Sequence, residues 1–385
     1  MYQEVRERKV KKKRVRKQRR SPVDFWLLLF ILSLTIFGVI MVFSASYYWS
    51  IDRFGSPYFF LKKELFWSGS GLLIMFFFAC VDYRKIGQKS VITALVIALA
   101  GLLLLLTPLG STINGAKRWI SIGGVTIMPG EIAKFAMILF VAWFLSEKPI
   151  RIKKFITGLL PIFAVCGVFG ALIMLQPNMS TACILMLIIF AMLFAAGLNL
   201  YYLVGGGILV VIYGITQAFI GYRQRRIASF LDPFKDEMGD GWQVVQSLLA
   251  LGSGGLTGRG LGKSVTKNLY LPEPQNDFIL AIIGEELGYI IVLVIIVIYI
   301  LIIWRGIRIA MLAQDRYGML LAAGITSMIG IQVILNIAVV TSSMPPTGVT
   351  LPFISYGGNA MWLFMACGGI LLNISGKQKS EGEKR

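Results

Sequence analysis

The sequence predicts an all-α integral membrane protein with ten transmembrane helices, and three observations indicate this fold class. Of its 385 residues, 56% are hydrophobic, and the mean hydropathy is +0.74, which soluble domains rarely reach. Apolar runs of about 20 residues, the length that crosses a bilayer, recur along the chain. Basic residues are concentrated in alternate connecting segments, as they are in multi-pass proteins.

The ten predicted spans follow from the positions of these apolar runs. They cover residues 24–46, 64–81, 91–107, 130–146, 155–175, 180–197, 200–221, 279–303, 317–342 and 356–374. The first run is too long for the apolar core of a signal peptide, about 7–15 residues, and is therefore interpreted as a span. The connections are short except for two, at residues 108–129 and 222–278.

The distribution of Lys and Arg sets the predicted orientation. Connections on one side of the membrane, including both termini, hold 25 basic residues, against 5 in the loops 47–63 and 108–129 of the other side. Because basic loops stay inside, both termini are predicted to be cytoplasmic. The long 222–278 loop, between the seventh and eighth helices, is then extracytoplasmic.

The two ends of the chain are predicted to lie outside the helical bundle. Residues 1–20 hold eleven Lys and Arg, which is typical of disordered tails drawn to anionic lipid. This placement of the net charge of +19 favours a membrane surface over nucleic acid. We expect a basic tail at residues 1–22, a membrane domain at 23–375 and a cytoplasmic tail at 376–385.

Residue usage excludes several classes of site. The chain has no histidine, which excludes Ser-His-Asp triads, imidazole bases and histidine metal ligands. Its four cysteines all fall in predicted spans and are far apart in the sequence. We therefore predict neither a disulfide framework nor a CxxC zinc site.

The second half of the 222–278 loop combines a helical pattern with many glycines. "DGWQVVQSLLALGSGG" (240–255) has apolar residues at helical spacing and predicts a surface or re-entrant helix that ends at the glycines. "GLTGRGLGKS" (255–264) resembles a P-loop, but Thr257 stands where the first glycine is required. Nucleotide binding is therefore not expected. Two interpretations remain: a flexible loop, or backbone donors that bind an anion together with Lys263.

Arginines in both long outer loops are candidate phosphate contacts. Arg223 and Arg226 follow the seventh predicted span, and Arg118 precedes Trp119 in "NGAKRWI" (114–120). Guanidinium groups bind phosphate oxygens in a bidentate manner. Anchoring of these side chains at the lipid headgroups is the alternative.

Asp277 is the candidate general base. It ends the polar segment "PEPQNDF" (272–278), directly before the eighth predicted span. Partial desolvation beside an apolar helix would raise its pKa, whereas the helix dipole would lower it. The alternative is a helix N-cap.

Four charged residues lie in the interior of the fourth and eighth predicted spans: Glu131, Lys134, Glu285 and Glu286. Ionisable groups within a membrane cost about 2.5–3.5 kcal/mol each on insertion scales and usually face partners or cavities. We predict that the four share a wet cavity that opens outward, with Lys134 as the ion-pair partner of the two adjacent glutamates.

Several long segments resemble the SEDS family (shape, elongation, division and sporulation proteins). The segments are residues 230–288, "NGAKRWI", "MPGEIAKFAMI" (128–138) and "MPPTGVTLPFISYGGNAM" (344–361). The resemblance runs from about residue 24 to 375. It implies a bacterial ten-helix glycosyltransferase that polymerises lipid II into glycan strands beside a class B penicillin-binding protein and other division proteins.

Within that family the chain is most similar to the FtsW/SpoVE branch. "PEPQNDF" resembles the sporulation form, with Gln275 where many division proteins have His. Thr347 replaces the Lys of the "PTKG" segment found in many division members. A role of that Lys is therefore not carried over to this chain.

The resemblance also implies site residues and a reaction. The family's catalytic aspartate corresponds to Asp277, and its "N-G-A-x-R-W" arginine corresponds to Arg118. The implied reaction is a single inverting displacement that forms a β-1,4 bond and releases undecaprenyl pyrophosphate, with no nucleotide. A divalent cation such as Mg²⁺ or Mn²⁺ on the pyrophosphate is an open expectation. A lipid II flippase and a non-catalytic division scaffold are the alternative functions.

Overall fold

The computed structural model describes residues 23–113, 116–122, 125–218, 230–236 and 241–377. Eleven α-helices lie in this part of the chain. In chain order they are α1 Phe25–Phe54, α2 Phe59–Cys80, α3 Gln88–Leu104, α4 Pro129–Glu147, α5 Leu160–Leu175, α6 Met179–Ala195, α7 Leu200–Ala218, α8 Trp242–Gly254, α9 Ile279–Leu312, α10 Arg316–Val340 and α11 Asn359–Ser375.

These helices make the chain a multi-pass membrane protein. Six described helices are long and apolar enough to cross a membrane, namely α1, α2, α4, α5 with the π-helical turn Phe155–Leu159 before it, α9 and α10. Helices α3, α6 and α11 are apolar but shorter. Every predicted span overlaps one helix, and α8 is the helix predicted in the long outer loop, which ends at Gly254 as expected. The count of ten spans stays a prediction.

The all-α prediction needs one correction, because the 108–129 loop contains an antiparallel sheet. Its strands are β1 Gly110–Ile113, β2 Ala116–Ile122 and β3 Val125–Ile127, in the order β1-β2-β3. Ile120 of β2 pairs with Ile127 of β3. The β-branched residues of this loop favour strands, and short connections let them pair locally.

Helices α1 and α2 form a hairpin whose ends differ from the predicted ones. Helix α1 runs to Phe54 instead of residue 46, and α2 begins at Phe59 instead of residue 64. The Phe54 and Phe59 rings stack with centroids 3.7 Å apart across the turn. Gly55 ends α1 in the left-handed conformation, at φ 68°, which glycine adopts without steric cost.

The connections that were predicted to be cytoplasmic meet at one end of the bundle. Lys377 contacts Asp82 at 2.5 Å, and the Tyr83 hydroxyl donates to Asp315 at 2.5 Å. Asp24 pairs with Arg305 at 3.4 Å. Burial raises the pKa of Asp82, but the hydrogen bonds from Lys377 and the Arg84 amide, together with the positive charges of both residues, outweigh it, so that the pKa is lowered. These contacts join the beginning of the bundle to its last helix.

Candidate active site

Asp277 precedes the first turn of α9 and lies beside the loop that joins α10 to α11. Its backbone carbonyl accepts a hydrogen bond of 2.8 Å from the Asn336 side chain, which donates equally to the Val349 carbonyl. A Cβ placed on Gly348 would lie 3.9 Å from Asp277 Oδ2. The residue is half-buried. Its carboxyl group therefore lies against the loop and is only partly exposed to solvent.

The N-cap interpretation of Asp277 does not match the start of α9. Phe278 occupies the N-cap position, and no side chain caps that end of the helix. The segment before it is held instead by long-range contacts. The Gln275 carbonyl accepts a 3.0 Å bond from the Tyr356 amide, and the Trp242 indole donates to the Tyr270 carbonyl at 2.5 Å.

Glu285 holds the glycine-rich loop against α9. It is 1% exposed and accepts hydrogen bonds from the Ser264 hydroxyl at 2.5 Å and the Val265 amide at 2.9 Å. The Arg259 guanidinium contacts it at 3.4 Å. A buried carboxylate with several donors is satisfied locally.

Glu286, the next residue, forms a buried ion pair. Its carboxylate contacts Lys267 Nζ at 2.7 Å, and both groups are almost fully buried. The Ser44 hydroxyl of α1 donates to the same carboxylate at 2.7 Å. The pair therefore joins α1, the glycine-rich loop and α9.

The partner predicted for these glutamates was wrong. Lys134 contacts Glu131, three residues before it on α4, at 2.7 Å, and both are buried. The loop residues Arg259 and Lys267 take its place at Glu285 and Glu286. A neighbour at i, i+3 on the same helix is always within reach, whereas the loop cations reach α9 only through the fold.

Helix α9 is broken where the glycine-rich loop packs on it. Gly288 has φ 81° and ψ 175° inside the helix. The carbonyls of Glu285 and Glu286 accept bonds from the amides of Arg259 and Gly260, at 3.0 and 2.8 Å. Those two amides therefore serve the helix break rather than an anion. A Cβ on Gly258 would lie 2.2 Å from the Glu286 carbonyl oxygen, so only glycine fits there.

The residues predicted to contact phosphate differ in what the structure shows of them. Arg118 lies on β2, and its guanidinium donates to the Pro177 carbonyl. Lys263 is exposed on the glycine-rich loop. Arg223 and Arg226 fall outside the described residues. Within the described part, no three His, Cys, Asp or Glu side chains group as metal ligands would.

Two residues near the site were missed by the sequence analysis. Asn336 is a buried amide on α10 that holds the Asp277 backbone. Glu64 is a fully buried acid on α2. For Asn336 the available signal was an isolated polar residue within an apolar run, which indicates a functional role in a membrane helix. Glu64 carried no such signal, because it directly follows Lys62 and Lys63.

Comparisons with known proteins agree with this architecture. Residues 25–380 match the family model of the FtsW, RodA and SpoVE cell cycle proteins. Stage V sporulation protein E of Bacillus subtilis (strain 168) is 42% identical over 363 residues, covering 93% of this chain and 98% of the relative. The probable peptidoglycan glycosyltransferase FtsW of Geobacter sp. (strain M18) is 39% identical over 359 residues, covering 92% and 97%.

Solved structures share the fold. A chain from a peptidoglycan synthase complex that coordinates polymerization and crosslinking aligns with a TM-score of 0.73 at 26% identity, covering 92% of this chain and 97% of that one. The rod shape determining protein RodA of Thermus thermophilus aligns with a TM-score of 0.67 at 25% identity, covering 93% and 98%.

Proposed function

Because this chain belongs to the FtsW, RodA and SpoVE family of cell cycle proteins, we propose that it is a peptidoglycan glycosyltransferase. It polymerises lipid II into β-1,4 glycan strands and releases undecaprenyl pyrophosphate, for septal or sporulation wall synthesis. The observation that carries the proposal is the position of Asp277. Its backbone carbonyl is held by Asn336, and its carboxyl group faces Gly348 just before the start of a membrane helix.

The proposed reaction is one inverting displacement. The acceptor sugar hydroxyl attacks the anomeric carbon of the lipid-linked donor, and the bond to the pyrophosphate breaks. Asp277 takes the hydroxyl proton. A positioned base contributes about 10²–10⁴ in rate, or about 3–5.5 kcal/mol of barrier. The half-buried position suits a substrate whose lipid tail stays in the bilayer.

The leaving pyrophosphate needs cations or oriented donors. We assign this role to Arg118, Lys263, Arg223 and Arg226, with Arg118 supported by its motif. A divalent cation such as Mg²⁺ or Mn²⁺ belongs to the same proposal. It would be held mainly by the pyrophosphate oxygens, since no carboxylate cluster exists in the described part of the chain.

The contacts of Glu285 and Glu286 favour a polymerase over a lipid II flippase. A proton-coupled carrier needs titratable groups within the membrane that change partners. Glu285 is held by Ser264, Val265 and Arg259, and Glu286 by Lys267 and Ser44. Both acids therefore have a structural role. Asp277, at the proposed outer rim, is the acid that we assign to the chemistry.

The proposal includes a membrane arrangement and a partner. The protein crosses the bacterial cytoplasmic membrane ten times, with both termini in the cytoplasm and the 222–278 loop outside. The contacts of Lys377 with Asp82 and of Tyr83 with Asp315 support a shared side for those connections. A class B penicillin-binding protein cross-links the new strands, as the name of the similar complex suggests for that assembly.

A polymerisation assay with purified protein tests this function. Labelled lipid II, presented with the transpeptidase partner, should yield a ladder of glycan lengths that persists in moenomycin, an inhibitor of a different glycosyltransferase class. Lipid II crossing vesicle membranes without any ladder would establish a flippase instead. Neither ladder nor transport would establish the scaffold.

A further inference from the structure

Glu64 is a buried acid that the proposed chemistry does not use. It is 0% exposed, and neither carboxyl oxygen has a hydrogen-bond partner in the described part of the protein. The other buried acids there each contact a cation: Glu131, Glu285 and Glu286. Among the described residues, Glu64 is therefore the buried acid that has no cation partner.

Two serine hydroxyls without hydrogen-bond partners lie at about the same height along the α1–α2 hairpin as Glu64. The Phe54–Phe59 stack fixes the turn of this hairpin. Ser50 lies one helical turn before Phe54 on α1, and Glu64 lies just over one turn after Phe59 on α2. Ser46 lies one further turn along α1. Both serines are 0% exposed, and their hydroxyls have no partner among the described residues.

The carboxyl group lies beneath the turn that holds the active-site segment. Glu64 lies on α2 between Phe60 and Trp67, and both of these side chains approach the turn: a Cβ on Gly358 would lie 3.5 Å from the Trp67 ring. The Tyr356 ring packs on Phe60 with centroids 4.9 Å apart. The Tyr356 amide donates to the Gln275 carbonyl at 3.0 Å, two residues before the proposed base. A continuous set of contacts therefore leads from Glu64 to that segment.

The surroundings of Glu64 suit a neutral group. A buried carboxylate without a cation or donors carries a large desolvation cost. The neighbouring Lys63 directs its ammonium over the Phe59 ring, at 4.5 Å, and no described cation forms an ion pair with Glu64. A protonated carboxyl group donates and accepts hydrogen bonds, as the serine hydroxyls do.

We propose that Glu64 is a positioning residue that works as a neutral carboxylic acid. It supports the Tyr356 turn, which orients the segment that carries Asp277. The effect on turnover rests on the proposed function. The protonation state does not.

Infrared difference spectroscopy of the purified full-length protein tests the protonation state directly. The wild-type-minus-Glu64→Gln spectrum at neutral pH should contain the C=O stretch of a protonated carboxylic acid. Replacing the exposed acid of α4 in the Glu147→Gln control should leave that band in place. A difference spectrum without the band overturns the proposal even if one variant folds poorly.

Polymerisation rates test the positioning role. Glu64→Gln keeps the shape and the neutral charge of the side chain, so kcat should stay within about twofold of wild type. Glu64→Ala should lower kcat roughly ten- to a hundredfold, as a misplaced base does, with KM little changed. A Glu64→Gln enzyme as slow as Glu64→Ala would show that the charge is required and would refute the proposal. If wild type forms no ladder, the proposed function fails while the infrared result still decides the state of Glu64.

Discussion

The Lys267–Glu286 pair shows how single residues hold the glycine-rich loop against the helices. The pair has a distance of 2.7 Å, lies in the protein interior and receives a further hydrogen bond from Ser44. Such a pair adds little compared with apolar residues of the same size, but removal of one partner leaves a buried charge uncompensated. Its main effect is therefore to fix which loop packs on α9.

Lys267→Met should destabilise the protein by about 3–5 kcal/mol, because Glu286 then keeps only hydroxyl contacts. The double variant Lys267→Met/Glu286→Gln removes the stranded charge and should recover much of this loss. Unfolding in detergent micelles measures both. Equal stabilities of the single and double variants would contradict the account of this pair.

The sequence predicted which residues belong to the site better than it predicted the partners that they contact. An acid at the edge of an apolar run, or inside it, was the signal that identified Asp277, Glu285 and Glu286. The partners of the last two were not, because Arg259 and Lys267 come from a loop whose path the spacing does not reveal. Local sequence indicates that a buried acid needs a partner, whereas the tertiary fold decides which one.

Among the elements, α8 and the broken helix α9 depend on backbone contact between glycines. A Cβ on Gly254 would lie 2.0 Å from the Gly284 carbonyl oxygen. Close approach of this kind lets the loop after α8 supply the amides that α9 loses at Gly288. From the sequence, the glycines were interpreted as a flexible loop or an anion site. In the structure they allow the loop to pack closely on α9.

Two alanine substitutions on α8 separate packing from helix propensity. Gly254→Ala should cost about 1–3 kcal/mol, since the backbone must shift to relieve the clash, and should lower polymerisation by moving the start of α9. Gly252→Ala, where a Cβ meets nothing within 4 Å, should be neutral or stabilise by up to about 1 kcal/mol. Thermal unfolding of the two variants decides, and equal effects would refute close packing as the cause.

Most helices could be predicted because a bilayer demands long apolar runs with internally satisfied backbones. The sheet at residues 110–127 was not predicted, since its short strands carry no such demand. Observed helix ends also differ from the predicted ones where packing extends a helix. Helix α1, for example, continues to the Phe54–Phe59 stack. Turn chemistry and aromatic contacts set those ends.

At the scale of the whole molecule, the proposed topology predicts which residues meet the outside. In a variant with the four native cysteines replaced by alanine, Leu261→Cys should react with a membrane-impermeant maleimide on intact cells. Lys85→Cys should react only after the membrane is permeabilised. Both positions are exposed in the structure, so accessibility differs by side alone. Labelling of residue 85 in intact cells would overturn the orientation.

The central claim is that the Asp277 carboxyl takes the proton in glycan polymerisation. The most direct measurement is the rate of ladder formation from labelled lipid II by Asp277→Asn, which keeps the shape of the side chain and loses the base. The exposed acid of α1, changed in Asp52→Asn, is the matched control. We expect Asp277→Asn to lose at least about 10² in rate while the control stays at the wild-type rate. A ladder of normal intensity from Asp277→Asn would contradict the account.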